Sequence, residues 1–298
     1  MFSKIQRNSN IYLALLLVFL TQCTSFKSLD NKYKNAKVAL VLGGGGSKGY
    51  AHLGAIEVLE ENNIPIDFIV GTSIGSAVGA IYADTRDIKK TKEIFFKAKS
   101  YELLDFSLNG SLNFFSSLSS PIRGNSYEKF IESNLSVKSF NDLKIPLLVV
   151  AVDSISGQKY VIKEGSIAKA VRASSAIPPI FKPVEIDGKI LIDGGVLEPV
   201  PVQTALKYKP DIIIAIDINN LPNKNKPKNM LELSYKALWL AYYQLSRSQA
   251  ALADIDIHPD LTGHGTFEDN NKEELYRLGR EAALKELPKI KDKLIPVL

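Results

Sequence analysis

The chain has 298 residues, of which 45% are hydrophobic and 23% charged, so its composition is that of a folded protein rather than a disordered one. Its formal net charge of +5 is mild, and the chain has neither an arginine-rich run nor a zinc-type spacing, which argues against a nucleic-acid partner. A chain of this length can bury a core without disulfide bonds, and Cys23 is its single cysteine.

The N-terminal segment has the pattern of an export signal. Lys4 and Arg7 precede an almost unbroken apolar run at residues 11–20. As a helix, that run would rise only about 15 Å, against a hydrocarbon core of about 30 Å. The pattern therefore predicts a signal peptide over residues 1–22 rather than a membrane span.

The signal peptide ends in a sequence that resembles a bacterial lipoprotein cleavage box, Leu20-Thr21-Gln22-Cys23. Cys23 is predicted to become the lipidated first residue, although Gln22 stands where a small residue is usual. Residues 23–36 would be a tether, and 37–298 a single domain. We expect an exported, lipid-anchored protein of the bacterial cell envelope on a membrane surface, with the outer membrane favoured. Ordinary secretion and an uncleaved anchor are the alternatives.

From residue 37 onward, short β-branched runs alternate with segments of helical periodicity, which predicts an α/β domain with a mainly parallel sheet and helices on its faces. The predicted strands are 38–42, 66–70, 146–152, 189–192 and 211–218, and the predicted helices are 50–62, 73–82 and 230–254. The last helix is the longest predicted, and its aromatic residues between 235 and 243 are interpreted as core and groove packing. A membrane belt is the less favoured interpretation.

Residues 99–124 lack a clear period and are rich in serine, leucine and phenylalanine. Loops of this length without regular structure are uncommon unless they are functional or mobile. A packed irregular excursion and a lid over a lipid site are the two interpretations.

A nucleophile motif stands at the second predicted strand-to-helix junction. Gly71-Thr72-Ser73-Ile74-Gly75 matches Gly-x-Ser-x-Gly, in which a sharp turn projects the serine hydroxyl from the sheet. Gly71 and Gly75 leave room for that turn, and the following helix N-terminus favours developing negative charge. The motif favours Ser73 as a nucleophile over a simple turn.

A glycine-rich loop ends the first strand and spans residues 43–49. Gly44, Gly46 and Gly49 fit a dinucleotide fingerprint, but the second strand does not end in the acid that would bind a ribose. A phosphate loop also fails, because Lys48 is followed by glycine instead of serine or threonine. The interpretation that uses both glycine motifs is an oxyanion hole made of backbone N–H groups beside Ser73.

A third motif, Asp193-Gly194-Gly195, follows the predicted strand at 189–192. A serine nucleophile needs a base, and a carboxylate can serve directly if burial raises its pKa towards the working range. Alone, the motif would more often be a simple β-turn.

The three motifs in this order resemble the patatin-like phospholipase family, in its bacterial branch, over residues 37–219. The segment Arg172-Ala173-Ser174-Ser175-Ala176-Ile177-Pro178-Pro179 also resembles the stretch before that branch's aspartate. The resemblance implies a three-layer α/β/α sandwich and hydrolysis of lipid or phospholipid acyl esters without a cofactor or metal. It implies that Ser73 attacks and that Asp193 accepts the proton. Lys48 would either attract a lipid phosphate or be a solvated lysine. The oxyanion would be held by the N–H groups of Gly44, Gly45 and Gly46.

Two rival functions remain open. The order Ser73, Asp193, then His258 or His264 is that of an α/β-hydrolase triad, although the elbow comes early for that fold. A non-catalytic lipid-binding module is the second rival. His52 is interpreted as a packing residue of the first helix. The acids and histidine between 254 and 260 do not fit a calcium-binding loop, so no metal is expected.

Overall fold

The computed structural model describes residues 36–99, 103–107, 118, 120–221, 226–266 and 271–295. Within these ranges one sheet contains eight strands: β1 Val38–Leu42, β2 Phe68–Thr72, β3 Leu147–Asp153, β4 Gln158–Ile162, β5 Val184–Ile186, β6 Lys189–Asp193, β7 Ile212–Ile216 and β8 Ile255–Ile257. The α-helices are α1 Tyr50–Glu61, α2 Ile74–Thr85, α3 Ile88–Lys97, α4 Asn125–Asn134, α5 Ile167–Ser174, α6 Val202–Leu206, α7 Met230–Ala250 and α8 Lys272–Leu294.

The sheet is mixed and mostly parallel. Strands β3, β2, β1, β7 and β8 are parallel neighbours in that order, whereas β4 and β6 pair antiparallel with β3, and β5 pairs antiparallel with β6. Strand β1 lies between β2 and β7 and is buried along its whole length, which is typical of a central strand covered on both faces.

The core has two parts, one on each face of the sheet. Val38, Leu40 and Leu42 of β1 join the larger cluster, which includes α1, α2 and α8. Ala39 and Val41 point the other way and join a smaller cluster with α6 and the end of α7. Helices therefore cover both faces, and the predicted α/β/α sandwich is confirmed.

Several predicted boundaries differ from the structure. Strand β2 continues two residues beyond the predicted 66–70, because Gly71 and Thr72 still pair with β3. Helix α2 begins at Ile74, so Ser73 precedes it. The prediction that 230–254 is the longest helix is wrong, since α8 has 23 residues and α7 has 21.

Helix α7 packs on the domain mainly through its C-terminal end. Ser246, Gln249 and Ala250 are buried, whereas Tyr235, predicted to pack, is 50% exposed and Leu238 is 71% exposed. The core-packing interpretation therefore holds only for the C-terminal end of this helix.

Some predictions concern residues outside the described ranges. Cys23, the signal peptide and most of residues 99–124 are among them. Among the helices that the structure describes, none has the length and apolar character needed to cross a membrane.

Candidate active site

Ser73 lies at a strained turn between β2 and α2. Its backbone has φ +52° and ψ −126°, a conformation that a non-glycine residue adopts only where the surrounding structure holds it. The Ser73 N–H donates to Oγ of Ser174 at 2.8 Å, and the Ser76 hydroxyl donates to the Ser73 carbonyl at 2.6 Å. These bonds position the predicted nucleophile at the end of its strand.

The two outer glycines of the Gly-x-Ser-x-Gly motif are required by close backbone contacts. A Cβ atom on Gly71 would lie 2.6 Å from the Ser76 Cα, and one on Gly75 would lie 2.2 Å from the Leu42 carbonyl oxygen. Both contacts are with backbone atoms, which cannot move aside cheaply. The turn therefore depends on glycine at both positions, as the motif predicts.

Ser174 is a positioning residue whose role the sequence did not show. It is fully buried at the end of α5, and its hydroxyl donates to the Val150 carbonyl at 2.6 Å while accepting from the Ser73 N–H. It thereby joins the nucleophile turn to β3. The only signal was its place in the segment before Asp193 that resembles the bacterial branch of the family.

Strand register brings Asp193 to the nucleophile. On one edge of β3, β4 pairs with residues 149–153. On the opposite edge, β2 pairs with residues 147–150, and β6 pairs with 151–153. Strand β6 therefore continues the line of β2, and its last residue, Asp193, lies just beyond the strand end that carries Ser73.

The Asp193 carboxyl has the properties of a base. It is buried, at 4% exposure, and its Oδ1 accepts from the Gly195 N–H at 2.7 Å. Burial raises the pKa of the carboxyl to about 7, although the Gly195 N–H and the nearby Ser73 hydroxyl oppose the rise. Oδ2 has no hydrogen-bond partner among the described residues. A buried carboxylate oxygen without a partner beside a serine can accept a proton.

Gly194 and Gly195 allow the turn after Asp193 to pack tightly. A Cβ on Gly194 would lie 2.2 Å from the Val150 carbonyl oxygen, and one on Gly195 would lie 2.7 Å from Oη of Tyr242. The Asp-Gly-Gly motif is thus more than a loose β-turn, since each glycine faces a group of the site.

The glycine loop lies against Ser73, but its N–H groups are not equivalent. A Cβ on Gly44 would lie 3.2 Å from the Ser73 Cβ. The Gly44 N–H, however, donates to the Pro199 carbonyl at 2.9 Å, so in this structure it is not available to an oxyanion, which differs from the expectation for Gly44. Nothing in the described ranges accepts a hydrogen bond from the N–H of Gly45 or Gly46, and these two remain as donors.

A buried polar network holds the glycine loop through the Gly44 carbonyl. The Asn219 side-chain amide donates to the Gly44 carbonyl at 3.1 Å and to Asp217 at 3.0 Å. Asp217 is fully buried and is paired with Arg247 at 2.9 Å. The sequence showed no pattern for this network, because its members lie on the loop after β7 and on α7.

Tyr242 of α7 also enters the site. Its Oη would lie 2.5 Å from a Cβ on Gly44 and 2.7 Å from one on Gly195, so the hydroxyl lies between the glycine loop and the Asp193 turn. Burial raises the pKa of this hydroxyl well above its usual value, which keeps it neutral. Sequence reasoning placed Tyr242 on a packing helix and did not assign it to the site.

Lys48 and Gly49 continue the loop. Lys48 is only 3% exposed, which excludes the interpretation of a solvated lysine, and its ammonium lies 5.5 Å from the centre of the Trp239 ring. A Cβ on Gly49 would lie 2.3 Å from the Ile74 side chain, which explains the glycine.

The two C-terminal histidines have partners away from the dyad. His258 Nδ1 bonds with the Asp217 carbonyl at 2.8 Å, and His264 Nδ1 lies 3.2 Å from the Asn271 amide. In the described part of the chain, no hydrogen bond joins either ring to Ser73 or Asp193.

His52 supports the glycine loop. It is fully buried in α1, and its Nε2 donates to the Gly43 carbonyl at 2.8 Å. Burial lowers the pKa of the ring to about 4, so His52 is neutral at physiological pH. This agrees with a packing role.

The acidic residues before and after His258 do not converge. Asp254 accepts from the Ile213 N–H, Asp256 pairs with Arg247, and Asp260 accepts from the Thr262 N–H. Across the ranges that the structure covers, no group of three or more potential metal ligands occurs.

The site is closed in this structure. Ser73 and Asp193 are each 4% exposed. A cavity of about 350 Å³ opens elsewhere, beside Arg172 and Lys182, and neither Ser73 nor Asp193 lines it.

Solved structures show the same fold. VipD of Legionella pneumophila superimposes with a TM-score of 0.57 at 16% identity, over 85% of this chain and 67% of that protein. ExoU of Pseudomonas aeruginosa superimposes with a TM-score of 0.51 at 14% identity, over 88% and 53%.

Sequence comparisons identify the family. An uncharacterized NTE family protein of Mycobacterium tuberculosis is 32% identical over 225 residues, which are 74% of this chain and 58% of that protein. Human patatin-like phospholipase domain-containing protein 6 is 33% identical over 66% of this chain and 14% of its own length. The chain thus spans little more than half of the mycobacterial relative. The family model described as patatin-like phospholipase matches residues 40–206, and the chain belongs to this family.

Proposed function

We propose that this protein is a serine acyl hydrolase that cleaves acyl ester bonds of lipids, phospholipids among them, with Ser73 as nucleophile and Asp193 as base. The observation that carries the proposal is the Asp193 carboxyl, with its pKa raised to about 7 and one oxygen without a partner beside the Ser73 turn. A base with a pKa near the working pH is both deprotonated often enough and basic enough to act.

The reaction would proceed in two halves. Ser73 Oγ attacks the ester carbonyl carbon as Asp193 Oδ2 takes the hydroxyl proton, and the carbonyl oxygen becomes an oxyanion near the N–H groups of Gly45 and Gly46. The intermediate collapses, the proton passes from Asp193 to the departing alcohol, and an acyl-serine remains. Water then attacks the acyl-serine, gives its proton to Asp193, and releases the fatty acid as Ser73 recovers its proton.

The relatives support a lipid substrate. Lysophospholipase NTE1 of Pyricularia oryzae is 26% identical over 92% of this chain and 20% of its own length, and the family name itself refers to phospholipids.

The test is hydrolysis of a mixed lipid extract with the products identified by mass spectrometry, for wild type and Ser73→Ala. We expect free fatty acid from wild type alone, and labelling of wild type but not Ser73→Ala by a fluorophosphonate probe. Equal release by both proteins would refute Ser73 as the nucleophile. Lipid binding without release or labelling would favour the non-catalytic binding module.

We also propose that the protein is exported and anchored in the bacterial cell envelope through a lipid on Cys23. The support is the short apolar run at 11–20 and the cleavage box that follows it. Such an anchor would hold the hydrolase at a membrane surface, where its substrates are.

A further inference from the structure

The outward side of α7 is apolar and exposed. Met230, Leu233, Ala237 and Leu240 recur at three- and four-residue intervals, so they lie on one side of the helix. All four are exposed, Met230 at 73% and Leu233 and Leu240 at 44% and 41%. Leu238 flanks this side at 71% exposure. Contiguous exposed apolar surface on a soluble domain marks an interaction site.

The charges around this side suit a lipid surface with negative headgroups. Between Glu232 and Asp254 the sequence contains no acidic residue. Two exposed lysines, Lys226 and Lys228, stand just before the helix. An apolar helix side with basic residues at its margin is the pattern of helices that lie in the interface of an anionic membrane.

The same helix leads to the candidate active site. The rings of Tyr235 and Trp239 stack at 6.4 Å, and those of Trp239 and Tyr242 stack at 5.0 Å. This stack runs from an exposed residue to Tyr242, whose hydroxyl lies between Gly44 and Gly195.

The turn that the Tyr242 hydroxyl faces also exposes apolar side chains. Val196 and Leu197 follow Gly195 and are 49% and 37% exposed. The Leu197 carbonyl accepts a hydrogen bond from Gln249 at 2.9 Å, which ties this turn to the C-terminal end of α7. A lipid held against Val196 and Leu197 would lie beside the turn that follows Asp193.

We propose that the outward side of α7, together with Val196 and Leu197, is the surface by which the protein binds the lipid–water interface of an anionic membrane. This inference rests on the proposed function and names the surface that presents the substrate. A protein partner is the competing occupant, but nothing in the charge pattern around α7 favours it.

Trp239 provides a built-in reporter, because it is the single tryptophan of the chain. The experiment uses the full-length chain with Ser73→Ala, so that the lipids remain intact, and vesicles of phosphatidylcholine and phosphatidylglycerol. We expect vesicles with brominated acyl chains to quench Trp239 emission more than unbrominated vesicles do. An anchor at Cys23 alone would not place Trp239 among acyl chains.

The decisive variant is Leu238→Glu, which adds a charge to an exposed position away from the core. The matched control is Leu284→Glu, since Leu284 is an exposed leucine of α8 on the other face of the sheet. We expect Leu238→Glu to weaken vesicle binding at least about tenfold, because it removes a leucine that would be buried in the membrane and places a carboxylate near anionic headgroups. The control should bind as the parent does.

Activity separates this inference from the proposed function. In chains with Ser73 intact, Leu238→Glu should lose hydrolysis of vesicle lipid but keep hydrolysis of a soluble monomeric ester. If the ester is hydrolysed but bromolipids do not quench Trp239, or Leu238→Glu binds vesicles normally, the α7 surface is refuted and the hydrolase stands. If Trp239 is quenched but no ester is cleaved, the hydrolase fails and the lipid surface stands.

Discussion

Replacing Asp193 by asparagine should stabilise the protein while removing its activity. Burial raises the pKa of the Asp193 carboxyl from 3.8 to about 7. Each pKa unit corresponds to about 1.4 kcal/mol, so the buried charge costs the folded state up to about 4 kcal/mol when fully ionised. Asparagine keeps an oxygen that can accept from the Gly195 N–H but cannot ionise.

The stability difference between Asp193→Asn and the wild type must depend on pH, and its direction follows from the raised pKa. The folded-state pKa lies above the unfolded one, so between pH 4 and 7 the folded protein holds a proton that the unfolded chain has lost. The wild type therefore loses this stability as the pH rises through about 7, and Asp193→Asn does not. We expect the difference in unfolding free energy to grow over this window and then level off, with a Tm gain of roughly 2–4 °C per kcal/mol.

The assay is denaturant unfolding of both proteins at several pH values, beside kcat/KM on a soluble ester. Wild-type kcat/KM should rise with an apparent pKa near 7, the pKa of the Asp193 carboxyl, while Asp193→Asn falls by orders of magnitude. Asp260→Asn is the control, because the pKa of that exposed carboxyl is lowered by its bonds to Thr262. A stability difference that is flat from pH 5 to 8 would refute the raised pKa.

Three further predictions concern the loop, the histidines and the anchor. Gly45→Ala should lower kcat more than KM, because its Cβ would lie 2.8 Å from Ile218 and displace an oxyanion donor; a change in KM alone would contradict this. His258→Ala and His264→Ala should retain most activity on a soluble ester, and a folded but inactive variant of either would restore the triad. Cys23→Ser should move the protein from the membrane to the soluble fraction, and unchanged fractionation and mass would count against lipidation.

Motifs made of consecutive residues could be predicted because their constraints are local. Gly71 precedes Ser73 because the Ser76 backbone leaves no space for a side chain, and this contact depends only on a strand that turns directly into a helix. The order of strands and helices is equally local, since it follows from the alternation of apolar periods.

Features that depend on register and long-range contacts could not be predicted. Asp193 reaches Ser73 because β6 continues the line of β2 along one edge of β3, and no sequence pattern specifies that pairing. The Gly44 N–H is engaged because Pro199, from a distant loop, lies opposite it. Tyr242 was assigned to packing because helical periodicity shows which residues share a side, but not what that side faces.

The closed site and the raised pKa of Asp193 have one cause, and together they favour an apolar substrate. Water is kept from the carboxyl by the residues around it, Tyr242 among them, and this exclusion raises the pKa to about 7. A substrate must displace some of these residues. A polar substrate would bring water with it and return the carboxyl towards its ordinary, weakly basic state. An acyl chain replaces the displaced residues with apolar atoms, so Asp193 stays desolvated when it must accept the Ser73 proton. On this reasoning the proposed preference for lipid esters follows from the electrostatics of the base.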